Sequence, residues 1–195
     1  NVAAAVGRAL SSELEAIVMS NLALTDAYQP SAEQIGRRSL LHTALSLLVA
    51  RDSKWLITAR NMYYAATNLS DRLCAARLVV HQGDEVHRAE VLEHFFDRWQ
   101  SENLVVNQWF VMQATRPSAD SVSDVTALTY HAAFDWRNPN KVRSLISAFA
   151  GANPTAFHAL DGGGYRLLGD AVRRLQSDNP QIAARMLAPM TRWRR

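Results

Sequence analysis

The chain has 195 residues, 48% of them apolar, and a formal net charge of +3. That composition excludes a disordered chain, and no apolar run approaches the ~20 residues that span a bilayer. The single cysteine, Cys74, excludes an internal disulfide and any multi-cysteine metal site. With no secretory signal in sequence, a cytoplasmic setting is the expectation.

Helical periodicity begins after Pro30, where Ser31 and Gln34 have the spacing of a capping box. Leu41, Ala44, Leu45, Leu48 and Val49 then fall at i, i+3, i+4, i+7 and i+8, one apolar stripe of a helix. Trp55, Ala59, Met62, Tyr63 and Ala66 nearly repeat it, and Leu69, Leu73, Ala76 and Val80 predict the next face. Gly83-Asp84 marks a boundary before a stripe of Val91, Leu92, Phe95, Phe96 and Trp99. Residues 104–112 suit a buried strand equally well by pattern, but no second strand is predicted to pair with them, so a helix is expected.

Three Asn-Pro pairs follow, Asn138-Pro139, Asn153-Pro154 and Asn179-Pro180. Asn is a preferred N-cap, and Pro suits the first turn because its missing N–H has no intrahelical acceptor to lose. Val142, Leu145, Ile146 and Phe149 form a stripe behind the first pair, and Gly151-Ala152 marks its end. Asp161-Gly162-Gly163-Gly164 reads as a flexible connector. Ile182, Ala183, Met186, Leu187 and Met190 line one side of a last helix. These elements predict an all-α fold: an irregular α-solenoid, a superhelical stack of short antiparallel helix pairs with no exact repeat period. Residues 1–195 are expected to form a single domain.

Few constellations suggest chemistry. His87, Glu90 and His94 lie at i, i+3 and i+7, a spacing open to a metal, but a polar helix flank with Glu90 and His94 paired is the favoured reading. Cys74 sits inside a predicted helix with no adjacent His, and the triple glycine lacks the Lys-Ser/Thr of a phosphate loop. No catalytic residue and no metal-binding residue is therefore assigned. Charge is uneven, since residues 1–136 carry eleven basic and fifteen acidic groups, whereas residues 137–195 carry ten basic and three acidic. Gln181 and Arg185, four apart, project opposite the apolar side of their helix, and Arg143 borders its own stripe. These side chains meet either bulk water or a polar cavity. No nucleic-acid recognition motif accompanies the basic end, so a nucleic-acid partner is not expected.

The segment Asn138 to His158, the run Asp161-Gly-Gly-Gly-Tyr165, the run Asn179-Pro-Gln-Ile-Ala-Ala-Arg185 and Trp109-Phe-Val-Met-Gln-Ala-Thr115 together resemble the C-terminal helical domain of bacterial-type aminopeptidase N, a family of zinc-dependent alanyl aminopeptidases. The resemblance implies that the chain is most of the last domain of a larger enzyme, as its ends at Asn1 and Arg195 also suggest. It implies that zinc and the catalytic Glu belong to an upstream catalytic domain of the same polypeptide. The helical domain would close over that domain, enclose a chamber and limit access to short peptides. Arg143, Gln181 and Arg185 match family positions that face this chamber and are the expected substrate-binding residues. Leu160 departs from the family pattern, which has an acid there. The isolated chain is expected to be inactive. The alternative is a stand-alone helical-repeat scaffold that binds another protein.

Overall fold

The computed structural model describes residues 2–24 and 27–192, and no side chain beyond Thr191. The ends Asn1 and Arg195 lie outside these residues. Every regular element among the described residues is helical. The first are α1 (Val2–Ala9), α2 (Ser11–Leu22), α3 (Ala32–Arg51), α4 (Leu56–Ala65), α5 (Leu69–Gln82), α6 (Glu85–Trp99) and α7 (Asn103–Ala114). There follow α8 (Ser121–Leu128), α9 (Pro139–Val142), α10 (Ala148–Ala152), α11 (Pro154–Phe157), α12 (Gly163–Leu175), α13 (Pro180–Met186) and α14 (Ala188–Arg192). A 3-10 turn at Ser53–Trp55 leads into α4, and a π-helical turn at Arg143–Ser147 joins α9 to α10 without a break. The fold is all-α, of the irregular α-solenoid class. It forms two compact units, Asn1–Leu92 and Glu93–Arg195, and the division falls inside α6.

In the first unit α3 is the organising helix. Its predicted stripe, Leu41, Ala44, Leu45, Leu48 and Val49, is buried throughout, and α1 and α2 pack on it. The three-residue link between α4 and α5 makes a helical hairpin, and Asn68 caps the second arm by accepting from the Asp71 amide at 3.0 Å. Two expectations change here. Ser31 accepts from the Gln34 amide as a cap should, but the Gln34 side chain does not return the bond; it accepts from the Gln29 amide and donates to the Ala27 carbonyl. The buried arc of α5 is Arg72, Ala75, Ala76, Leu78, Val79 and Val80, with Leu69 exposed and Leu73 half-buried, because α5 meets both α3 and α4 and a single stripe cannot cover two neighbours.

In the second unit residues 104–112 are helical, within α7, and bury Val106, Trp109, Phe110 and Met112. All three Asn-Pro pairs start helices. Asn138 accepts from the Asn140 amide at 3.0 Å, Asn153 from that of Ala156 at 3.4 Å and Asn179 from that of Ile182 at 3.2 Å, each with Pro in the first turn. Val142, Leu145, Ile146 and Phe149 are fully buried.

The triple glycine is not a flexible connector. Gly162 holds φ +71°, a left-handed conformation that L side chains seldom adopt, while Gly163 and Gly164 are buried in the first turn of α12. A Cβ on Gly164 would stand 2.4 Å from the Phe157 carbonyl oxygen, so the run serves close backbone packing of α12 on α11. The last predicted helix is two, α13 and α14. Pro189 has no N–H to return to the chain four residues back, so the helix breaks at Leu187, and Leu187 and Met190 are exposed instead of core.

Candidate functional site

Arg143 is carried outward by the burial of its neighbours. Val142 on one side and Ser144, Leu145 and Ile146 on the other are buried, and the helix accommodates so wide a buried arc by opening into the π-turn that starts at Arg143. The guanidinium stays exposed, and its Nη1 donates to the Asn140 side-chain oxygen at 2.9 Å. Gln181 and Arg185 lie one turn apart on α13, both exposed, with Ala183 and Met186 buried on the opposite face. The N-terminal turns of α9 and α13 border a common hollow of about 470 Å³, lined by Trp136, Arg137, Pro139, Asp178, Asn179 and Ile182 among others. The starts of the two helices thus face one hollow, but none of Arg143, Gln181 and Arg185 lines it.

Three other cations of this unit are occupied within the chain. Arg116 pairs with Asp124 at 2.5 Å, Arg173 pairs with Asp170, and Arg166 donates to the Asp161 carbonyl at 2.7 Å. Arg143 and Arg185 have no carboxylate partner among the described residues. A guanidinium left in that condition offers two parallel N–H donors to an incoming carboxylate.

Lys141 is a cation that the sequence did not single out. It is 4% exposed, its Nζ finds no hydrogen-bond partner and lies 5.5 Å from the Phe110 ring centroid, and desolvation holds its pKa below the ordinary lysine value. Its alternation with Asn140 and Arg143 gave no hint of this, because a Lys beside a helix start normally reads as a surface residue.

The residues His87, Glu90 and His94 do not assemble a metal site. The Glu90 carboxylate accepts from Arg60 at 2.9 Å through both oxygens and from the Tyr64 hydroxyl at 2.8 Å. The Tyr64 bond, then that from Arg60, keeps its pKa below the usual carboxylate value. His87 Nδ1 is bonded to Asp84 at 2.7 Å, and Asp84 also accepts from the His87 amide at the start of α6. Among the described residues no group of three or more His, Cys, Asp and Glu converges as a metal would require. A zinc ion held by protein needs three or four such ligands, so these residues do not fit one. Cys74 is half-buried. Burial pushes its thiol up to about 11, which leaves almost no thiolate near neutral pH.

Residues 1–195 match the family model described as a domain of unknown function, DUF3458_C, with ARM repeats. The chain belongs to this family. It is homologous to the C-terminal region of aminopeptidase N. The aminopeptidase N of Escherichia coli (strain K12) is 35% identical over 194 residues, which are 98% of this chain and 22% of that protein. That of Haemophilus influenzae (strain ATCC 51907 / DSM 11121 / KW20 / Rd) is 35% identical over 178 residues, 91% of this chain and 20% of the relative. Among solved structures, the crystal structure of Legionella pneumophila aminopeptidase A in complex with aspartic acid superposes with a TM-score of 0.87 at 28% identity, covering 98% of this chain and 23% of that one. The chain thus spans about a fifth of the length of the relatives it matches. The family's ARM-repeat description agrees with the helical fold described above.

Proposed function

We propose that residues 1–195 are one domain of a zinc-dependent aminopeptidase that removes N-terminal residues from short peptides, and that this domain encloses the chamber and presents Arg143, Gln181 and Arg185 to the C-terminal side of a bound peptide. Homology to the aminopeptidases supports the enzyme class. The observation that carries the site is the exposure of two arginines, Arg143 and Arg185, without a carboxylate partner among the described residues. A peptide's free carboxylate supplies the missing acid, and Gln181, one turn before Arg185, adds a donor and an acceptor beside it. Zinc, on this reading, is held by the part of the polypeptide outside this chain. The partners are then the catalytic domain of the same polypeptide and short peptides, in a cytoplasmic setting. No helix of the described residues is long and apolar enough to cross a membrane.

In the intact enzyme, replacing Arg143 or Arg185 with Ala should raise KM for di- and tripeptides roughly tenfold while changing that for a neutral anilide little, since only the peptide carries the carboxylate. Equal effects on both substrates would remove the proposed role. The chain by itself should release nothing from an alanine anilide with or without added zinc. The other reading, a stand-alone scaffold, predicts that the chain is complete without a catalytic domain, and metal-independent capture of a folded partner by the chain alone would favour it.

A further inference from the structure

A second hollow in the Glu93–Arg195 unit, about 460 Å³, lies between α8 and α12 and is lined in part by Thr126, Thr129, Tyr130, Trp136, Arg166 and Arg174. Two arginines and two aromatic side chains meet there. The Arg174 guanidinium lies over the Trp136 ring, 4.6 Å from the centroid, and no carboxylate of the described residues pairs with it. Tyr130 is 83% exposed and its hydroxyl has no partner among those residues. Arg166 spends one N–H on the Asp161 carbonyl and keeps the rest.

Two acids border the same hollow as well, each with one oxygen bonded. Asp161 Oδ1 accepts from the Gly163 amide at 2.9 Å, and Asp170 is paired with Arg173. Thr126 and Thr129 give their hydroxyl protons to the Val122 and Thr126 carbonyls, each at 2.7 Å, so toward a ligand they only accept. Toward a ligand the hollow turns the guanidinium groups of Arg166 and Arg174 and the aromatic side chains of Tyr130 and Trp136. The volume suits a small ligand.

A larger hollow in the first unit, about 650 Å³, makes the contrast. Lys54, Arg60 and His87 line it, but each is paired, with Asp52, Glu90 and Asp84 respectively, so it presents no unspent charge.

We propose that the hollow between α8 and α12 binds a short peptide ending in an aromatic residue. The C-terminal carboxylate pairs with Arg174 and Arg166, and the adjoining ring packs against Tyr130 and Trp136. Arg174, preorganised on the indole, loses little freedom in making that pair, and the ring contact adds selectivity for a flat side chain. The site is separate from the reading above, because none of Arg143, Gln181 and Arg185 lines this hollow.

Calorimetric titration of the 195-residue chain with the dipeptide Ala-Phe tests the idea, with Ala-Phe-amide, Ala-Ala and inorganic phosphate as the comparison probes. Saturable binding of Ala-Phe is expected, with the amide and Ala-Ala each about tenfold weaker or more. Arg174→Gln should weaken Ala-Phe about tenfold and Tyr130→Ala several-fold, whereas Lys54→Ala, an exposed cation of the other unit, should leave it unchanged. Both test residues are exposed, and circular dichroism of the variants checks that the fold is intact. Absence of saturable binding, equal binding by Arg174→Gln, or phosphate binding as tight as the dipeptide would each overturn the site. Loss on Arg143→Ala with Arg174→Gln unaffected would overturn it too, and would leave the chamber reading standing.

Discussion

Asn153 reaches from the start of α11 to the end of α7, where its Nδ2 donates to the Arg116 carbonyl at 2.7 Å. The same amide donates to the Ala114 carbonyl at 3.1 Å, and its oxygen caps α11. One side chain, 2% exposed, therefore satisfies both the amide end of one helix and the carbonyl end of another.

Replacing Asn153 with Ala removes a cap and leaves two carbonyls with fewer donors in a buried place. The expected loss is roughly 3 kcal/mol, or a fall of about 6–12 °C in the unfolding midpoint, larger than a cap alone would cost. Thermal unfolding followed by circular dichroism measures it. A loss below about 1 kcal/mol would mean that the contact to α7 contributes nothing beyond the cap.

Two glycines should respond oppositely to the same change. A Cβ on Gly164 meets the Phe157 backbone, which cannot move aside, so Gly164→Ala should destabilise by about 1–3 kcal/mol. Gly151 sits within α10 with nothing inside 4 Å of a new Cβ, so Gly151→Ala should stabilise by about 0.5–1 kcal/mol through the lost freedom of the unfolded chain. Denaturant midpoints of the two variants side by side decide the point.

The Asp71 carboxylate is half-buried, which raises its pKa, but the bond to His42 at 2.6 Å and that from Asn68 outweigh burial and hold the pKa below the ordinary 3.8. A depressed acid stabilises the fold above its unfolded pKa, and that contribution disappears as pH falls through the lower folded value. Stability should therefore drop as pH falls below about 3.8, and Asp71→Asn should make that acid limb shallower while lowering stability at neutral pH. Urea unfolding between pH 6 and pH 3 provides the comparison, and parallel curves for the two proteins would contradict it.

Lys141 presents the opposite case. Its folded pKa is held below 10.5 by desolvation, so the unfolded chain binds the proton more tightly and the folded state is penalised at neutral pH. The penalty is fully present below the folded pKa and vanishes as pH rises past 10.5. Lys141→Met, of similar length and without the buried charge, should be more stable at pH 7 by about 1 kcal/mol, with the advantage shrinking toward pH 10. A variant less stable at every pH would show that the contact with the Phe110 ring outweighs the desolvation.

The sequence determined the helical class and many of its boundaries by itself. The stripes at 41–49 and 142–149 are buried residue for residue, because helical spacing alone fixes which side chains share a face. The Asn-Pro pairs were equally legible, since capping is a contact within a few residues. The homology to aminopeptidase N was legible for a different reason, because the matching motifs run in order across a long segment. Gln181 and Arg185 stand opposite an apolar stripe and Arg143 borders one, a pattern that places all three at the surface, where they lie.

Tertiary structure decided what depends on contacts between distant segments. No local signal could tell that the triple glycine brings α12 against the Phe157 backbone instead of loosening a loop. The buried arc of α5 could not be read, because it depends on having two neighbours and not one. Nor could the sequence place Arg174 over Trp136, 38 positions apart, or bury Lys141 beside Phe110, since charge and periodicity say which face a residue takes but not what stands opposite it.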